Sequence, residues 1–202
     1  FIKSILKICK NESIDIIIPG NADEILSISK NIESFNSLNI KTTISNFNNL
    51  NIILNKEKTY TKLKKIGIPV PEYFRVKNFN EFLVAIKKLG YPKKDICFKP
   101  AKYSQSGGTR GFRILRKKNS AKKILLNEKP DSIEIDFETT KIALRNSGPI
   151  DLLVMEYLPG DEYSSYIFAD RGNMLYCISN LREKLERYYS FEAKTQKNKK
   201  IE

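Results

Sequence analysis

The chain has 202 residues, 41% of them hydrophobic, which allows a packed core, and no apolar run reaches membrane-spanning length. It contains no histidine, which excludes a Ser-His-Asp triad, the usual general base and most zinc sites. Lys and Arg number 36 against 23 acids, a net charge of +13, but the lysines are spread along the chain, which weighs against a dedicated nucleic-acid face.

Phe1 to Asn11 reads as an amphipathic helix without a signal-peptide cleavage pattern. Ser13 to Pro19 is a continuous apolar run that suits a buried parallel strand. Ala22 to Phe35 reads as one helix, with Asp23 and Glu24 in the first turn where the dipole favours acids. A short strand is expected over Ile40 to Ile44. Together these make residues 1–50 an α/β unit, the remainder of an open parallel-sheet domain.

A second unit, 51–202, opens with a helix from Lys56 to Ile66 that stops at Gly67. Tyr73 to Val76 is a short strand, and Asn78 caps a helix over Phe79 to Leu89. Ile96-Cys97-Phe98-Lys99-Pro100 rises as a strand, and a return strand begins near Gly111. Between them, Ser106, Gly107, Gly108 and Thr109 form a tip able to bring backbone N–H groups close to phosphate oxygens, with Lys99 supplying charge. No Gly-Lys-Ser/Thr follows, so this is not a Walker loop. Helices are expected over Ser120 to Leu126 and Asp136 to Arg145. Leu152-Leu153-Val154-Met155 leads into Glu156, and Leu158-Pro159-Gly160 breaks the strand. A hairpin of Glu162 to Asp170 and Met174 to Ile178 turns at Arg171-Gly172-Asn173. Glu183, Glu186 and Glu192 fall in a helix-like polar tail as solvated acids. The chain lacks an initiator Met and stops in the polar stretch Lys194 to Glu202, so a fragment cut at both ends is expected. Cys9, Cys97 and Cys177 are widely spaced and read as free thiols in a reducing, cytoplasmic setting.

The ordered set is Lys56, Gly67-Ile68-Pro69-Val70-Pro71, Lys99-Pro100, the glycine tip, and Val154-Met155-Glu156-Tyr157-Leu158-Pro159-Gly160-Asp161-Glu162. From about Ser13 to about Arg182 it resembles the ATP-grasp superfamily, in particular members like the large subunit of carbamoyl phosphate synthase. The resemblance implies a pre-ATP-grasp remnant followed by an incomplete two-subdomain ATP-grasp fold, α/β at first and α+β in the second part. It implies ATP as the bound nucleotide. Lys56 and Lys99 would contact phosphate, Lys99 also reaching adenine, and Ser106, Gly107, Gly108 and Thr109 would cover the phosphates. Glu156 would take the adenine amine, Tyr157 and Leu158 would offer backbone to the adenine edge, and Glu162 would contact ribose. Arg182 stands where many members place a basic catalytic residue.

The implied chemistry joins a carboxylate to an amine through an acyl phosphate, and it leaves a homodimer open. Mg²⁺ is implied too, with its ligands expected beyond residue 202. The departures are Asn55 where the family often has Asp, Tyr166 where many members carry an acid, and no match to the metal-binding Glu and Glu-x-Asn. Two other readings stay open: a catalytically silent nucleotide-binding regulatory module, and a basic nucleic-acid-binding domain.

Overall fold

The computed structural model describes residues 1–101, 111–116, 133–186 and 189–196, and the chain divides into two compact units. The first is built from Phe1–Val70 with short pieces around Pro100 and Asp151. Its elements are α1 (Ile2–Asn11), β1 (Ile16–Ile17), α2 (Ala22–Lys30), α3 (Ile32–Asn36), β2 (Lys41–Thr42), α4 (Phe47–Ile53) and α5 (Lys56–Lys65). Ile2, Ile5, Leu6 and Cys9 recur at helical spacing along α1 and pack with Ile28, Phe35 and Ile40.

The strand expected over Ser13 to Pro19 is shorter and half-open. β1 pairs with β2 in parallel, Ile16 opposite Lys41. Ile17 packs on the core, whereas Ile16 is 53% and Ile18 75% exposed. With period-two alternation, one face of the strand is covered and the other faces solvent.

The single helix expected over Ala22 to Phe35 is broken at Asn31. That amide donates to Ser27 O at 2.8 Å, giving the backbone carbonyl a side-chain partner at the turn. α4 had no sequence expectation, because asparagine is a poor helix former. Yet asparagine starts the helices here: the side chains of Asn21, Asn46 and Asn55 each accept N–H bonds in the first turn of α2, α4 and α5.

The second unit comprises Pro71–Lys99 with the described parts of Gly111–Ile150 and Val154–Glu202. It holds β3 (Tyr73–Val76), α6 (Phe79–Lys88), β4 (Ile96–Pro100), β5 (Arg113–Leu115), β6 (Glu134–Ile135), α7 (Phe137–Asn146) and β7 (Leu152–Glu156). The sheet runs β3-β7-β4-β5-β6. β4 and β5 are antiparallel, Ile96 opposite Leu115, and β6 lies parallel to β5, Ile114 opposite Glu134. The sheet buries Ile96, Phe98, Ile114, Leu115, Val154 and Met155, while α6 buries Phe82, Ala85 and Ile86. Phe82 meets Phe98 edge-on at 5.5 Å between ring centroids. Asn78 caps α6, its Oδ1 accepting from Glu81 N–H at 2.9 Å, as its sequence position requires. Asp136 caps α7, and bonds from the Thr139 hydroxyl and N–H hold its carboxyl below the ordinary aspartate range. The helix expected over Ser120 to Leu126 lies outside the described residues.

A separate antiparallel sheet follows, in the order β10-β9-β8: β8 (Tyr163–Asp170), β9 (Asn173–Glu186) and β10 (Tyr189–Thr195). The turn falls on Arg171 and Gly172, at φ 47° and 85°, the mirror-image geometry that matches strand twist. The tail carrying Glu183, Glu186 and Glu192 is therefore strand, not helix. β9 continues well past Ile178 because β10 pairs along it, Arg182 opposite Ala193.

Tyr166 stands opposite Ile178, and Phe168 opposite Tyr176. All four are more than half exposed, and among the described residues β8 forms an edge of this sheet. An apolar face beside an unpaired ladder invites self-association. Combining Phe168→Lys with Tyr176→Glu is expected to lower light scattering of the purified chain without loss of strand signal. Unchanged scattering would place the cause elsewhere.

Candidate functional site

In the second unit two of the expected nucleotide contacts, Lys99 and Glu156, stand on neighbouring strands about Cys97. Lys99 lies near the end of β4 and Glu156 is the last residue of β7, the strand beside β4. Cys97, two residues before Lys99 on the same strand face, donates its S–H to Glu156 O at 3.5 Å. Burial pushes the Cys97 thiol up to about 11, with Lys99 pulling it down and Glu156 pushing it up. Ammonium and carboxylate thus flank one buried, inert sulfur. A backbone exchange fixes the acid: Glu156 N–H donates to Glu72 O at 3.0 Å, and Glu72 N–H donates to Glu156 Oε1 at 3.2 Å. A carboxylate accepts several bonds, so this one positions Glu156 without exhausting it.

Tyr157 and Leu158 follow where β7 ends, outside the strand ladder. Leu158 is exposed. The Tyr157 ring lies under the Arg116 guanidinium, 5.2 Å from its centroid. Arg116 also bonds Glu134 at 2.6 and 2.8 Å and Asp95 at 3.1 Å. Burial pulls the Arg116 pKa down, but the bonds and charges of Glu134 and Asp95 outweigh this and hold it above its usual value. The sequence reading did not single out Arg116. The available signal was register: Asp95 precedes β4 and Arg116 follows β5, so closing the hairpin with Ile96 opposite Leu115 sets them across from each other.

Farther along the chain, Arg182 forms an ion pair with Glu162, and its N–H donates to Glu162 O at 2.9 Å. The residues expected to contact ribose and substrate are thus direct partners. In the first unit, Lys56 opens α5 behind the Asn55 cap, whose Oδ1 accepts from Lys58 N–H at 3.1 Å. Asn55 does there what Asp does at a helix start, so this departure from the family pattern leaves the helix beginning intact. Lys56 N–H donates to Ala101 O at 3.3 Å, and Ala101 N–H to Asp151 O at 2.9 Å. Ser106, Gly107, Gly108 and Thr109 lie outside the described residues. Among the described residues no group of three or more Cys, Asp or Glu could hold a metal ion, and no helix is long and apolar enough to cross a membrane.

No family model matches the sequence, and no curated protein was found to be similar. Solved structures do match. The biotin carboxylase domain of Hydrogenobacter thermophilus 2-oxoglutarate carboxylase, in complex with MgADP, ADP and bicarbonate, superposes with TM-score 0.60 at 18% identity, over 93% of this chain and 38% of its own. Rhizobium etli pyruvate carboxylase matches with TM-score 0.59 at 19% identity, over 94% of this chain and 15% of its own. Bacillus anthracis D-alanine–D-alanine ligase matches with TM-score 0.53 at 19% identity, over 94% and 56%. The chain therefore spans only part of each of these proteins. All three are ATP-grasp enzymes, and at such identities the likeness establishes architecture: the chain has, in part, the ATP-grasp fold.

Proposed function

We propose that this chain is the nucleotide-binding part of an ATP-dependent carboxylate–amine ligase, of the kind resembling the large subunit of carbamoyl phosphate synthase. The observation that carries this reading is the placing of Lys99 and Glu156 about Cys97, on the neighbouring strands β4 and β7. Lys99 offers a positive charge to phosphate, and Glu156 offers an acceptor to the exocyclic amine of adenine. The backbone of Tyr157 and Leu158 supplies the remaining edge contacts. Lys56 is assigned to phosphate by the same resemblance, and Arg182, held by Glu162, to the substrate end of the site.

In the proposed reaction a carboxylate oxygen takes the γ-phosphoryl group and ADP leaves. An amine then attacks the acyl carbon and expels phosphate. Such chemistry rests on positioning and charge neutralisation, so a chain without histidine is suited to it. Mg²⁺ would add charge neutralisation at the phosphates, but the described residues offer no set of ligands for it, and no residue of this chain is assigned to it.

Competition between ATP and GTP tests the reading. Guanine presents a carbonyl where adenine presents an amine, and a carboxylate facing it loses a bond worth about 1–3 kcal/mol. Wild type is expected to prefer ATP, and Glu156→Gln, whose amide can also donate, to narrow the gap. Equal affinities in wild type would overturn the assignment. ATP binding without substrate-dependent ADP release would favour the silent regulatory module.

A further inference from the structure

We infer that Arg116 is a positioning residue for adenine, acting through Tyr157. The inference rests on the nucleotide reading above and adds a residue to it. Tyr157 and Leu158 lie beyond the end of β7, outside the strand ladder of the described residues. Something else must aim them if they are to meet a purine edge. The Tyr157 ring is anchored on Arg116, 5.2 Å from ring centroid to guanidinium carbon.

Arg116 is itself well fixed. Its planar fork bonds Asp95, which leads into β4, and Glu134 on β6. Because β5 lies between β4 and β6, and β4 lies beside β7, one guanidinium ties together the ends of four neighbouring strands. That row of strand ends includes the end of β7, where Glu156 stands. A clamp serving stability alone needs only the two acids. The stack on Tyr157 extends the tie to the residue directly after Glu156.

The test measures affinities of the whole chain for ATP, GTP and inorganic tripolyphosphate, in wild type, Arg116→Met, Arg116→Lys and Tyr157→Leu. Arg116→Met is expected to lose about fivefold in ATP affinity, the scale of one exposed cation–π contact. It should narrow the ATP-over-GTP preference and leave tripolyphosphate binding unchanged. Combining it with Tyr157→Leu should cost little more than either change alone, since both remove one contact. Arg116→Lys keeps the charge but not the fork, and should show the same selective loss; it carries the test if the Met variant does not fold. A parallel fall for all three ligands would mean a clamp only and overturn the inference, as would unchanged ATP affinity. A wild type that binds tripolyphosphate but does not prefer ATP overturns the nucleotide reading, and the inference with it.

Discussion

Phe82→Ala is expected to destabilise the second unit by about 3–5 kcal/mol, the usual cost of emptying a fully buried aromatic site. Phe82 is 0% exposed and closes the gap between α6 and the sheet. Its ring meets Phe98 edge-on and lies 6.4 Å from Phe79, so truncation removes apolar area and leaves both neighbours facing a void. Domains are stable by only about 5–15 kcal/mol in total, so the loss is a large share of what holds this unit together. Phe98 also lies next to Lys99 in the sequence of β4, so the strand bearing the lysine should loosen with the core. Urea unfolding followed by tyrosine fluorescence measures it. Phe79→Ala, at a less buried ring, should cost clearly less. A Phe82→Ala cost under about 1 kcal/mol would show that the surroundings collapse to fill the space.

Lys99→Ala should weaken ATP binding by about 1.5–3 kcal/mol, roughly ten- to a hundredfold, the scale of a hydrogen bond to a charged group. The variant should fold, because Lys99 is only partly buried and β4 is held by its ladder and by Phe98. Lys99→Arg should keep part of the affinity, since it keeps the charge with another geometry. A second consequence is internal to the protein. Lys99 is the charge that pulls the Cys97 thiol down, so removing it should move that thiol still further above about 11. Calorimetric titration with ATP reads the first effect, and slower alkylation of Cys97 at high pH reads the second. Unchanged ATP affinity in a folded variant would remove Lys99 from the site.

Much of the second unit was legible because its signals are local. Asn78 before Phe79, Phe82 and Ile86 is a cap followed by one apolar face, and α6 starts there. Ile96 to Pro100 and Leu152 to Glu156 are short apolar runs ended by proline or by an acid before Pro159-Gly160, and both are strands. The tail was misread because Glu183, Glu186 and Glu192 space like an exposed helix face. Pairing of β10 with β9, a contact between chain segments, decides strand instead. The same limit hid Arg116, whose partners lie 18 and 21 residues away in sequence and meet it only once β4, β5 and β6 are side by side. Asn46 to Ile53 was hidden for the opposite reason: its asparagines are weak helix formers, and α4 rests on its cap and on burial of Leu50.

The asparagine starts of α2, α4, α5 and α6 bear on how the fold meets acid. An amide acceptor does not titrate, so these four helix beginnings keep their first-turn bonds at any pH the chain survives. Asp136 is different. Its carboxyl is held below its ordinary range when folded, so it stabilises α7 above the unfolded aspartate pKa and gives that up as pH falls through the lower folded value. On acidification the carboxylate bond at the start of α7 should therefore be lost while the amide-accepted bonds at the starts of α2, α4, α5 and α6 persist, so acid should fray α7 from its first turn.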